Sequence, residues 1–327
     1  MRRFLWLPMV VLAPIILPGC GGTNTNDGAQ AYNRSGSYAE TPIAPGVSGY
    51  ANEILAVSAF INAAEVKEAA GVSRVVAGLK KLPIIPKRVF LLGATATNAE
   101  WWKKPLEDAK ISVVPVVGTT ADGWDKVVKT LGVGKLLSNG PKDGGVNAEG
   151  LKATQASLSS QFVAEGIRFV VVNTDTPLKA EKPGSVPALW LKGAVEAAKE
   201  NTVVVGWRSL TALGEKDETP VIADAGALGK ATKVVAWVSS SAVAPLAKKV
   251  LDKGPVSLAV GGGIGEDKLP HVGLIEVKKD GTLTARVAKL SDTSLATTVL
   301  EASLWAPAPK VAPLAAKPAQ PAAPIKK

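Results

Sequence analysis

The chain has 327 residues, 38 basic against 28 acidic side chains and a formal net charge of +10, with one cysteine, one histidine and two methionines. A single cysteine excludes a disulfide framework, and one histidine leaves almost no imidazole for a metal or a catalytic base. Aromatic residues make up 5% of the chain and are not interleaved with arginine, which argues against a nucleic-acid interface.

At the N-terminus, Arg2 and Arg3 precede an apolar stretch from Phe4 to Ile16, broken by Pro8 and Pro14, and Leu17-Pro18-Gly19-Cys20 closes it. Such a stretch is too short to span a bilayer as a stable helix. The segment resembles a bacterial lipoprotein signal peptide, although Pro18 stands where such signals usually carry a small residue. The resemblance implies removal of residues 1–19 and acylation of Cys20, so that lipid holds the mature chain on a membrane. Gly21 and Gly22 follow without an aspartate, which within this resemblance points to the outer membrane, facing the periplasm. Both methionines go with the leader. So do two arginines and no acid, leaving 36 basic and 28 acidic side chains, a formal +8. That surplus is compatible with an anionic partner such as lipid headgroups, an acidic polymer or an envelope protein. The lysines are nevertheless spread out, and a solvated surface is the simpler expectation.

Residues 20–50 are rich in Gly, Asn, Ser and Thr, bury too little apolar surface to offset ordering entropy, and read as a lipidated flexible tether. Residues 51–305 are patterned as one globular domain, of a size that suits a single large core. Beyond Trp305, residues 306–327 are dominated by Pro, Ala and Lys and read as a semi-extended disordered tail.

Inside the domain, Ile54 to Val57, Val89 to Leu92, Val113 to Val117, Phe169 to Val172, Val203 to Val205, Val234 to Val238 and Leu258 to Val260 are short β-branched runs, as expected of buried strands. Leu151, Leu158 and Phe162, and again Val243, Leu246, Val250 and Leu251, recur at helical spacing. Val272 to Val277 and Leu283 to Val287 flank Asp280-Gly281 as a hairpin. Strands alternating with helices and closed by a hairpin predict an α/β fold.

Chemistry in such folds sits just past the strand ends. Five segments stand there: Val57-Ser58-Ala59-Phe60, Leu92-Gly93-Ala94, Val117-Gly118-Thr119-Thr120-Ala121-Asp122, Val205-Gly206-Trp207-Arg208 and Val260-Gly261-Gly262-Gly263-Ile264. In order and flanking sequence they resemble the five blocks of the calcineurin-like metallophosphoesterases, which include the purple acid phosphatases. The family pattern is Gly-Asp, Gly-Asp, Gly-Asn-His-Asp, Gly-His and Gly-His-x-His. The resemblance covers roughly residues 52 to 290 and implies a layered sandwich of two mixed β-sheets flanked by helices. Carried across, the first aspartate falls on Ala59 and the bridging aspartate on Ala94. The asparagine and the first histidine fall on Thr119 and Thr120, and the later histidines on Trp207, Gly262 and Ile264. No matched ligand survives. Two-metal phosphoester hydrolysis needs those groups, because the metals lower the pKa of a bound water to about 7 and clamp the entering and leaving oxygens.

The expectation is therefore a catalytically inactive phosphoesterase homologue without metal or other cofactor, held at the envelope for binding or assembly. The rival is a phosphoesterase that recruits metal through the unmatched Asp122, Asp175, Asp224, Glu266 and Asp267, whose spacing fits no compact cation loop. A third reading is a doubly wound binding domain, which predicts one parallel sheet with a single switch point. Gly261 to Gly265 lacks the Gly-Lys-Ser/Thr of a P-loop and reads as a tight turn. Ser239 or Ser240 reads as a helix cap rather than a nucleophile, and His271 as a partly exposed structural histidine.

Overall fold

The computed structural model describes residues 41–42, 53–117, 124–133, 159–172, 191, 193–207, 233–240, 246–249, 255–261 and 269–307. Their strands, numbered along the chain, are β1 (Thr41–Pro42), β2 (Ile54–Asn62), β3 (Arg88–Ala94), β4 (Ser112–Val117), β5 (Ser160–Ala164), β6 (Ile167–Val171) and β7 (Asn201–Val205). The rest are β8 (Val234–Ser240), β9 (Leu246–Lys249), β10 (Val256–Val260), β11 (His271–Lys278), β12 (Leu283–Lys289) and β13 (Thr297–Trp305).

They form two sheets. One has the order β1-β13-β12-β11-β2-β3-β4 and the other β5-β6-β7-β8-β10-β9. In the first, β2, β3 and β4 are parallel while β11, β12, β13 and β1 add antiparallel. In the second, β6, β7, β8 and β10 are parallel between antiparallel edges β5 and β9. Two mixed sheets replace the single parallel sheet that a doubly wound domain requires.

The sheets face each other across one core. Phe60, Phe90, Leu92, Val114, Val116, Ile275 and Val287 from the first meet Phe169, Val171, Val203, Val205, Val238, Leu258 and Val260 from the second. Phe60 stacks on Phe90 with centroids 4.6 Å apart, and Phe90 meets Phe169 at 4.9 Å. Such pairs add about 1 kcal/mol each beyond their area burial.

The outer face of the seven-stranded sheet is covered by helices α1 (Ala69–Lys80), α2 (Ala96–Asp108) and α3 (Trp124–Leu131). Helix α1 buries Val72, Val75, Val76 and Leu79, the stripe that a period of 3.6 dictates, and α2 buries Ala99, Trp102 and Leu106. Ala59, Ile61, Val89 and Leu91 receive them. Alternation along β2 thus feeds both cores, odd positions to the helices and even positions to the second sheet, which is why the strand reads as a continuous apolar run. Among the described residues, no helix is long and apolar enough to cross a membrane.

Three expectations change. Leu246–Lys249 is strand β9, paired antiparallel with β10, and not part of a helix. Phe162 lies on strand β5 opposite Phe169. Ser239 and Ser240 are the last residues of β8 and not a helix cap. In each case a short segment fits both periods, and pairing with a neighbouring strand decides. Two residues within the stretch read as a tether, Thr41 and Pro42, pair with Thr298 and Thr297 of β13.

The parallel strands of both sheets point their C-terminal ends to one end of the sandwich, here the crest. Gly93 on β3 packs there against Trp207, just past β7, and Gly273 near the start of β11 packs against Val260 at the end of β10. The opposite end, the base, holds the N-terminal ends of the parallel strands and the β5–β6 and β11–β12 turns.

Candidate functional site

The crest is built from the strand ends. β2 ends at Asn62, whose Oδ1 accepts from the Ala64 amide at 3.3 Å while its Nδ2 donates to Glu65 Oε1 at 3.0 Å. Ala59 therefore lies inside β2 and not after it. It is fully buried, in register with Val89 and Leu274, and faces the helices. The strand runs five residues past the expected end, so the first-block position is corrected: the loop that reaches the crest is 63–65.

Ala94 is where a strand end was expected. Gly93 adopts φ +75°, a conformation that glycine enters without the penalty a Cβ carries, and helix α2 starts two residues past Ala94. Thr95 caps it, with Asn98 N donating to Thr95 Oγ1 at 3.3 Å and Thr95 N donating to Asn98 Oδ1 at 2.8 Å. Asn98 Nδ2 reaches the carbonyls of Ala63 and Gly93, both at 3.4 Å, and so ties the ends of β2 and β3 together. Sequence reasoning missed this residue, although the Thr-x-x-Asn spacing before an apolar helix face carries the signal.

Trp207 follows β7, as expected. Its carbonyl accepts from Ser240 N at 2.9 Å and also from Ser240 Oγ, which fixes the turn against β8. The indole packs so closely on Gly93 that a Cβ there would overlap Nε1 and Cδ1. Two of the matched segments, 92–94 and 205–207, thus converge across the sandwich. Thr119, Thr120, Gly262 and Ile264 lie outside the described residues, as do Cys20, Arg208 and the unmatched acids Asp122, Asp175, Asp224, Glu266 and Asp267. His271 opens β11, half-buried, in register with Lys289.

The groups placed here have little capacity for cation chemistry. A methyl at Ala94 and an indole at Trp207 supply no carboxylate, imidazole or thiolate. Among the described residues, no group of three or more His, Cys, Asp or Glu could hold a metal ion.

Charge is organised elsewhere. At the base, Arg88 Nη2 pairs with Glu165 Oε2 at 2.7 Å, and Lys87 Nζ lies 3.7 Å from the same carboxylate. The guanidinium carbon of Arg88 stands 5.8 Å and 5.6 Å from the ring centres of Phe162 and Phe169. Burial pushes its pKa down, opposed by the charge of Glu165. Arg88 belongs to the first sheet and Glu165 to the β5–β6 turn of the second, so the pair bridges the sandwich. Glu165 at φ +49° followed by Gly166 at φ +76° makes that turn. A second buried carboxylate, Glu276 on β11, accepts from Thr284 Oγ1 at 3.0 Å and from Arg286 Nε at 3.1 Å.

No family model matches the chain, and no curated protein sequence matches it. Among solved structures, the fold is similar to a dimetal phosphatase from Danio rerio, at 11% identity over 76% of this chain and 99% of that one, with a TM-score of 0.48. It is also similar to TT1561 of Thermus thermophilus, at 11% identity over 68% of this chain and 94% of that one, with a TM-score of 0.46. At such identity no residue role passes from either protein to this chain, and the site rests on its own side chains.

Proposed function

We propose that this is a non-catalytic lipoprotein of the cell envelope, a phosphoesterase-like sandwich that keeps the loop framework of a metal-dependent hydrolase without its ligands and serves in binding or assembly. The observation that carries this reading is the packing of Trp207 on Gly93, one residue before Ala94. An indole fills the space between two loops that a hydrolase of this architecture would use to present donors to cations. Neither water activation nor clamping of phosphoryl oxygens follows from such groups. The Cys20 leader supports a lipid anchor.

The test is turnover. Purified mature chain is assayed with an aryl phosphate in the presence of Mn, Fe, Zn or Mg, and the rate is expected to equal that of the buffer with metal alone. Metal-dependent turnover that disappears on substituting Asp122, Asp175, Asp224, Glu266 or Asp267 by Asn or Gln would replace this reading by that of an active phosphoesterase with a rearranged site.

A further inference from the structure

Among the described residues, the exposed large apolar side chains are not scattered. Leu55, at 54% exposure, lies in the irregular first turn of β2, Ile85, at 47%, just before β3, Val163, at 49%, beside the β5–β6 turn, and Trp305, at 37%, at the end of β13. All four are at the base, and Leu295 alone lies at the crest end, between β12 and β13. Hydrogen bonds and register fix the grouping. Lys279 N donates to the Glu53 carbonyl, Leu283 is opposite Trp305, and Gly281 packs near the Trp305 ring.

Exposed lysines share this end because they precede the strands whose N-termini lie there. Lys87 comes before β3, Lys110 before β4 and Lys233 before β8, and Lys279 sits in the β11–β12 turn. Of the base acids, Glu165 is engaged with Arg88, Glu200 with Arg168 at 2.9 Å and Asp280 with the Thr282 amide at 2.8 Å, while Glu53, Glu107 and Asp108 are exposed. The C-terminal end of the domain also leaves from here, since β13 finishes at the base, while Thr41 and Pro42 pair with the crest end of β13. The segment after Trp305 carries Lys310, Lys317, Lys326 and Lys327 and no acid.

We infer that the base is a membrane-facing surface that rests on a bilayer of anionic phospholipid, with the crest turned away. Each feature has its part in that contact. Lysines near an anionic surface contribute about 1 kcal/mol apiece, tryptophan favours the headgroup level, and exposed Leu and Ile have apolar surface to bury at the acyl boundary. The inference concerns orientation and adds to the anchor at Cys20 without depending on it.

The experiment uses the full chain reconstituted in vesicles of phosphatidylcholine alone or mixed with phosphatidylglycerol, both carrying brominated acyl chains, and reads tryptophan quenching. Quenching that appears with phosphatidylglycerol, is absent from Trp305→Phe, and is lost in Lys233→Glu/Lys279→Glu or in high salt is the expected result. Equal quenching in both vesicles, insensitivity to the lysine changes, or persistence in Trp305→Phe would overturn it. Unchanged thermal unfolding of the variants keeps a folding defect from imitating the expected loss. Membrane recovery of the Cys20→Ser chain, measured separately, reports on the anchor. An anchored chain whose Trp305 is not quenched contradicts the orientation alone.

Discussion

The crest and the base of this sandwich are closed by opposite means. At the base, two sheets are joined by a charge pair, Arg88 with Glu165, set beneath aromatic rings. At the crest, they are joined by an indole lying on a glycine. The difference teaches that the Arg88–Glu165 charge pair holds one sheet to the other, whereas the buried Glu276 is matched within its own sheet. At the end where strand C-termini converge, the usual place for chemistry in α/β proteins, the described contact between the sheets is made by the uncharged Gly93 and Trp207. Among the described loop carboxylates there, Glu65 is tied to Asn62 and Asp292 to Arg74.

The sharpest way to break the contrast is at the base. Glu165→Ala leaves Arg88 largely buried without its counterion, and removal of one partner of such a pair costs about 3 to 5 kcal/mol. Chemical denaturation should show a loss of that order, with most of it recovered when Arg88→Met is added. If the single variant is as stable as the parent, the pair is not what joins the sheets. At the crest, Gly93→Ala adds a methyl where the indole lies and forces a φ of +75° on a residue with a Cβ. Overpacking and the left-handed conformation together cost about 2 to 4 kcal/mol, and the fluorescence of Trp207 should shift as the ring is displaced. An unshifted spectrum would mean that the indole is not held there.

Thr95→Ala sharpens the same end more gently. It removes the side-chain cap of α2 and loosens the Asn98 link between β2 and β3, for about 1 kcal/mol. Thermal unfolding should register a fall of roughly 2 to 4 °C in a domain of this size. A fall several times larger would mean that the crest loops depend on the cap far more than on packing.

The smallest effect separates exposed carboxylates from the buried Arg88–Glu165 pair. Hydrogen bonds hold three carboxylates below their usual range: Glu200 through Arg168, Asp280 through the Thr282 amide and Asp292 through Arg74. Their folded pKa values are lower than the unfolded ones, so the stability they add is complete above the unfolded carboxylate range. It is lost as pH falls through their folded values. Denaturation between neutral and acid pH should show this loss, and Glu200→Gln/Asp280→Asn/Asp292→Asn should flatten it. A pH dependence unchanged in the triple variant would assign it to other groups.

How far the sequence revealed this arrangement differs between the two ends. The apolar runs at β3, β4, β7, β8 and β10 announce themselves because strands buried on both faces need β-branched and aliphatic residues throughout. The Gly93 and Trp207 turns could likewise be read, since each follows such a run directly. The end of β2 could not: Ser58 and Ala59 look like a loop entry, and only pairing with Val89 and Leu274 carries the strand on to Asn62. β9 was obscured by its length, four residues that satisfy either period. The base was illegible, because Arg88 and Glu165 are far apart in sequence and nothing local requires them to meet. Glu276 was hidden inside an apolar strand, its partners supplied by β12.

The central claim concerns the crest, and metal content tests it most directly. Mature chain dialysed to equilibrium against Mn, Fe or Zn, then freed of unbound ion, is analysed for metal per chain. The account predicts far less than one equivalent, unchanged in Glu65→Gln. Close to two tightly held equivalents, reduced by that substitution, would contradict it.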